Sequence, residues 1–172
     1  MVNIVVKRFI FAWYVPIIIF AFVLLTLLFV SDRQARDNAS LFIPVFGALF
    51  SFFFFSQKQQ LEELGIFREL FKDFNGRYDN LSAQLNEMLE PGVPGDLLDE
   101  QKKLLNEYFN LCGEEYLYYR QGYIYPEVWT AWCNGMSFYL KDKRIRAKWM
   151  AEEKTNSYYG LTLRRIENSR RH

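Results

Sequence analysis

The chain changes character once. Phe9 to Val30 holds 22 residues without a charge, and Asn38 to Gln57 holds another 20. From Lys58 onward, charged side chains recur throughout. A helix needs ~20 mostly apolar residues to cross ~30 Å of hydrocarbon. The pattern therefore predicts two transmembrane helices, at about 9–30 and 41–56. As a helix the first run would reach about 33 Å. Pro16 sits inside it and should kink it, which membrane helices tolerate. The second run has a core of Leu41–Phe55, only about 22 Å long. Either its polar ends Ser40, Ser56 and Gln57 lie in the interface, or the bilayer thins; a re-entrant or buried helix is the other reading. Pro44 and Gly47 interrupt it further. Gly47 and Ser51, small and four apart, would let another helix approach closely. The first run exceeds the apolar segment of a signal peptide and no A-x-A-like site follows, so it reads as an uncleaved anchor. The linker Ser31–Ser40 is short enough to make an antiparallel hairpin with both termini on one side. Lys7, Arg8, Lys58 and Arg68 flank the hairpin on that side, against Arg33 and Arg36 in the linker. The excess favours termini in the cytoplasm.

Beyond the hairpin the pattern takes a helical period. Leu64, Phe67, Phe71, Phe74, Tyr78, Leu81, Leu85 and Met88 are spaced alternately three and four apart, with polar residues between. Gln57–Leu89 is predicted as one long connector helix. Continued from the second apolar run it would extend to roughly 73 Å. Its seam serves packing within the domain, or self-association as a second reading; Phe and Tyr are bulky for a two-stranded coiled coil. Glu90–Gly95, with two prolines and two glycines, ends the helix. Asp96 offers a cap for a helix over Leu97–Gln121, and Gly122 is a natural stop. Pro126 starts a further helix toward Leu140. A last short helix holds Ile145, Trp149 and Met150, and Thr155–His172 reads as partly frayed. No strand alternation and no internal repeat stand out. The expected architecture is all-α: a transmembrane hairpin over 1–56, a cytoplasmic helical bundle over 57–153, and a basic tail over 154–172.

Composition sharpens this picture more than it changes it. Of the 17 phenylalanines, 12 fall within residues 1–56. The whole chain carries +1, so the cytoplasmic part lacks a broad nucleic-acid footprint. The tail is the exception, with Lys154, Arg164, Arg165, Arg170 and Arg171 against Glu167. Those arginines suit anionic lipid or nucleic-acid phosphate, or simply solvent. No charge interrupts the apolar runs, which disfavours a selective channel.

Little catalytic chemistry is on offer. The only histidine is His172, which removes histidine general bases and most zinc patterns. Cys112 and Cys133 are too far apart for a C-x-x-C pair and read as small buried hydrophobes, in keeping with a reducing cytosol. No phosphate-cradling glycine loop is present. No cofactor and no metal are expected. Glu114 and Glu115 invite acid–base work, although helix-surface pairing with Arg120 is the plainer reading. Trp129 and Trp132, three apart, suit stacking on a base or a headgroup, or packing in a core.

Two segments carry a resemblance: FKDFNGRYDNLSAQLNEM (71–88) and YFNLCGEEYLYYRQGYIYPEVWTAWCNGM (108–136). With two apolar runs ahead of them, they resemble the transmembrane effectors encoded beside retron reverse transcriptases. The resemblance implies a toxic effector of abortive anti-phage defence, not an enzyme. It would be silenced by a reverse transcriptase with its RNA–DNA product, and once released would damage the inner membrane. Partners would be the lipid bilayer, that complex, and a second copy of the chain. The placement implied is multi-pass in the inner membrane. Arg77, Asp79, Glu114, Glu115 and Trp129 are the candidates for a partner or regulatory surface; Pro16, Pro44, Gly47 and Ser51 are the candidates for membrane activity or helix packing. The alternative is a membrane-anchored scaffold that binds a partner without toxicity. A third reading is an enzyme using Glu114 and Glu115 near a membrane substrate.

Overall fold

Helical periodicity in the sequence becomes helix in the structure. The computed structural model describes residues 2–31, 39–90 and 95–169, and every regular element among them is an α-helix. In chain order these are α1 (Val2–Ser31), α2 (Ala39–Glu87), α3 (Asp99–Gln121), α4 (Pro126–Tyr139), α5 (Lys143–Glu153) and α6 (Leu163–Ser169). The expected linker turn (32–38), the Pro91–Pro94 part of the break, and Arg170, Arg171 and His172 lie outside the described residues. So do the side chains of Lys7 and Arg8.

The second apolar run and the expected connector are one helix. α2 is 49 residues long and runs unbroken through Pro44 and Gly47. α1 likewise runs through Pro16. Each proline withholds one backbone donor from its helix.

The chain divides into two compact units, Met1–Gly65 and Ile66–His172. In the first, the rings of Phe22 and Phe46 meet edge to face with centroids 5.0 Å apart. The Thr26 hydroxyl turns back to donate to the Phe22 carbonyl. Pro16, Pro44, Gly47 and Ser51 are exposed, and an added Cβ on Gly47 would meet nothing within 4 Å.

The expected transmembrane hairpin is corrected here. Among the described residues, no helix is long and apolar enough to cross a membrane. In α2 the apolar residues give way to polar ones at Ser56–Gln60, so only the N-terminal part of that long helix is apolar. The multi-pass inner-membrane placement with cytoplasmic termini rested on that hairpin and is corrected with it.

The second unit is built around its own apolar core. The seam of α2 turns inward with increasing depth: Phe74, Leu85 and Met88 are buried, while Phe67, Leu70, Tyr78 and Leu81 are partly covered. α3 supplies Leu105, Phe109, Leu111 and Cys112, and α4 supplies Trp129, Cys133 and Met136. Aromatic contacts knit the layers. Phe109 meets Trp149 of α5 at 4.8 Å, and Tyr119 stacks on Trp129 at 4.9 Å. Such pairs add about 0.5–1.5 kcal/mol each beyond the area they bury.

Local chemistry sets the ends of these helices. Leu98, not Asp96, stands at the start of α3, where the Gln101 side chain accepts from the Leu98 amide at 3.0 Å. Asp99 and Glu100 occupy the first turn, favoured by the helix dipole. Gly122 ends α3 at φ 88°, a left-handed position that glycine adopts without strain. Asp142 caps α5, accepting from the Arg144 and Ile145 amides. The Arg144 guanidinium beside Asp142 holds that carboxyl below its usual range. Arg144 also donates to the Met88 carbonyl just past the end of α2, at 2.6 Å.

The C-terminal segment is ordered into the core rather than frayed. Tyr158, Leu161 and Ile166 are buried, and Trp149 stacks on Tyr158 at 5.2 Å. The segment crosses α3 at Gly113, where an added Cβ would sit 3.2 Å from the Tyr158 Cα. Two arginines fasten it. Arg120 donates to the Tyr159 carbonyl at 3.0 Å, and Arg165 donates to the Tyr116 hydroxyl and the Gly160 carbonyl. Glu153 accepts from the Trp149 indole and from the Leu163 amide at the start of α6.

Candidate functional site

Consecutive residues on a helix point about 100° apart. The pair Glu114–Glu115 on α3 is divided by that rotation. Glu114 faces α2 and accepts two hydrogen bonds from Arg77, at 2.6 and 3.2 Å. Asp73, one turn earlier on α2, lies 3.6 Å from the same guanidinium. The fork with Glu114 raises the Arg77 pKa further above its ordinary value. Its side chains remain 40% and 34% exposed, so water screens the pair.

Glu115 faces the interior and is only 6% exposed. It makes no hydrogen bond or ion pair within the described structure; Arg77 acts on it only through space. Burial pushes its carboxyl up to about 8, Arg77 opposes that rise, and Glu114 adds to it. A buried carboxylate without a partner is costly, so the proton is retained instead.

The carboxyl borders a cavity of about 190 Å³ where α2, α3 and α4 meet. Asn75 and Tyr78 line it from α2, Tyr108 from α3, and Ala131, Trp132, Gly135 and Met136 from α4. A hydroxyl chain runs from this wall. Tyr139 donates to Asn86 Oδ1 at 3.0 Å, so its single proton is spent, and the 2.9 Å contact with Tyr78 has Tyr78 donating. Burial first, and then that bond, raise the Tyr139 pKa. Burial likewise raises Tyr108 and the Cys112 thiol well above their ordinary values, so both stay protonated.

The residues singled out from the sequence thus take different places. Arg77 and Glu114 are joined across α2 and α3. Glu115 is interior. Asp79 is exposed on α2, its carbonyl accepting from the Ser82 hydroxyl. Trp129 is in the core, its indole donating to Ser169 at 3.0 Å. Trp132 stands over the cavity and packs edge to face with Phe74 at 5.7 Å. Sequence reasoning missed Tyr78, Tyr108 and Asn75 as companions of Glu115. A signal was present: Tyr108, Cys112 and Glu115, spaced four and three, share one helix face.

A second concavity follows α2 itself. It has a volume of about 870 Å³, with Ile66, Leu70 and Tyr118 as its apolar part. Glu69, Lys72, Asp73, Arg77 and Asn80 supply its polar part, and Gly76 lines it as well. An added Cβ at Gly76 would touch nothing within 4 Å, so the groove is open there.

No protein family, curated protein or solved structure matches the chain.

Proposed function

We propose that the chain is a non-enzymatic helical effector or adaptor, held by a protein partner that docks along α2. The observation that carries this reading is the groove between Ile66 and Asn80. It extends along about four helical turns. Its apolar part and mixed-charge rim match the way an amphipathic helix is received in a groove: apolar anchors inside, paired charges at the edge. Gly76 lets a partner helix approach the α2 backbone closely. Arg77 is held in place by Glu114, so a partner meets a preset cation rather than a mobile one.

The resemblance of segments 71–88 and 108–136 to retron effectors names the first partner to test, a reverse transcriptase carrying its RNA–DNA product. It also names the setting, defence against phage. The proposed role for the helical unit is to be bound and released, with the consequence exerted elsewhere in the chain or by the partner.

The test is co-purification of the full chain with a retron reverse transcriptase carrying its RNA–DNA product, scored together with protection against phage. Gly76→Arg fills the groove and should lower recovery of the complex at least about tenfold, as loss of a docked helix would. Asp99→Asn, at the exposed start of α3, should leave recovery unchanged. Association that survives Gly76→Arg, or no association at all, overturns the reading.

A further inference from the structure

The groove leaves the buried carboxyl of Glu115 unexplained. An unpaired acid in a protein interior is destabilising, and a glutamine of the same shape would avoid the cost. Its surroundings are not those of a structural ion pair. The nearest cation, Arg77, spends two N–H groups on Glu114 and reaches Glu115 only through space. Beside the carboxyl lies a partly open space of about 190 Å³, lined by Tyr78, Tyr108 and Trp132 and by Ala131 and Gly135, which are exposed.

A carboxylate that shares a small cavity with three aromatic side chains is chemically suited to one kind of guest. The ring faces carry negative charge density and attract a cation without donating hydrogen bonds to it. The carboxylate supplies the full counter-charge. A space of about 190 Å³ suits a compact organic cation and is too small for most drug-sized ligands, which need ~300 Å³ or more. A hydrated metal ion would need further oxygen ligands, and no metal-holding group of His, Cys, Asp and Glu occurs among the described residues.

We propose that the cavity between α2, α3 and α4 binds a compact organic ammonium ion, with Glu115 as its counter-ion and Tyr78, Tyr108 and Trp132 as its walls.

Binding then carries a proton signature. The charges that face Glu115 are Arg77 on α2, itself paired with Glu114 and Asp73, and Glu114 on its own helix. The protonated groups nearby are Tyr108 and Cys112 on α3, and α4 presents no charged side chain to the cavity. Glu115 is therefore the group that changes charge. The empty site holds a proton near neutrality, and an entering ammonium ion displaces it. Affinity should rise with pH until Glu115 is ionised without help.

The experiment is a calorimetric titration of the full chain with tetramethylammonium chloride from pH 6 to 9. Sodium chloride at matched ionic strength and the neutral isostere neopentyl alcohol serve as controls. The dissociation constant should fall about tenfold per pH unit below pH 8 and level off above it, with one proton released per ion bound at low pH. Glu115→Gln should weaken binding at least tenfold at pH 8 and abolish the pH dependence, while melting as a folded protein. Trp132→Leu, which keeps the counter-ion and removes one wall, should weaken binding about fivefold. It also keeps the test decisive should Glu115→Gln fail to fold. Equal binding of neopentyl alcohol, a flat pH profile in the native protein, unaltered binding by both variants, or no saturation by about 100 mM at pH 8.5 each overturns the proposal.

Discussion

At the scale of single residues, the two glutamates show how little a residue type says without its neighbours. Glu114 and Glu115 are chemically near-identical, and one is half-solvated in a fork with Arg77 while the other is buried and protonated. The sign of the pH effect follows from that burial. The folded carboxyl titrates at about 8, above the 4.5 of an ordinary glutamate. The stability this confers is complete below the unfolded value and is lost as pH rises through the folded one. Urea denaturation midpoints should therefore fall between about pH 5 and 8, and Glu115→Gln should flatten that fall. Glycines make a second contrast at this scale. Gly76→Ala meets open space on α2 and should stabilise by about 0.5–1 kcal/mol through helix propensity. Gly113→Ala gains the same propensity but drives its methyl against the Tyr158 backbone. Its urea midpoint should lie below that of Gly76→Ala by a difference of about 1–3 kcal/mol. Neither contrast is legible in the sequence: both glutamates and both glycines are simply helix residues there, and only a contact from a remote segment separates them.

At the scale of elements, the fork between α2 and α3 and the docking of α6 bind the second unit in different ways. The Arg77–Glu114 pair is part-exposed, so Glu114→Gln should cost about 1 kcal/mol or less, and the cost should shrink in high salt. A denaturation series at low and high ionic strength checks this. Docking of α6 rests on apolar burial instead. Ile166→Ala should cost about 2–4 kcal/mol, insensitive to salt, with loss of protection for the Leu163 and Arg165 amides in hydrogen exchange. The major helices were readable before the structure, because the three-four spacing of α2, the Gly122 stop and Pro126 are local signals. The place of α6 was not. A seven-residue helix has too few internal bonds to be stable by itself, so its order comes from Trp129, Tyr116 and Glu153.

At the scale of the whole molecule, the two units differ in how they treat apolar surface. The second buries its large side chains around Phe109, Trp129 and Trp149; the first leaves Phe20, Ile43, Phe50 and Phe54 largely exposed. A fragment spanning Ile66–His172 should therefore fold cooperatively alone, with the pH-dependent stability of the full chain. Near-UV circular dichroism and a single urea transition check that outcome. The sequence by itself determined the all-helical class, the length of α2 and the main breaks, because helix periodicity, glycine and proline act within a few residues. The tertiary structure decided which glutamate is buried and that the tail completes the core. Burial depends on what a residue meets from distant parts of the chain, and that meeting is written in no local pattern.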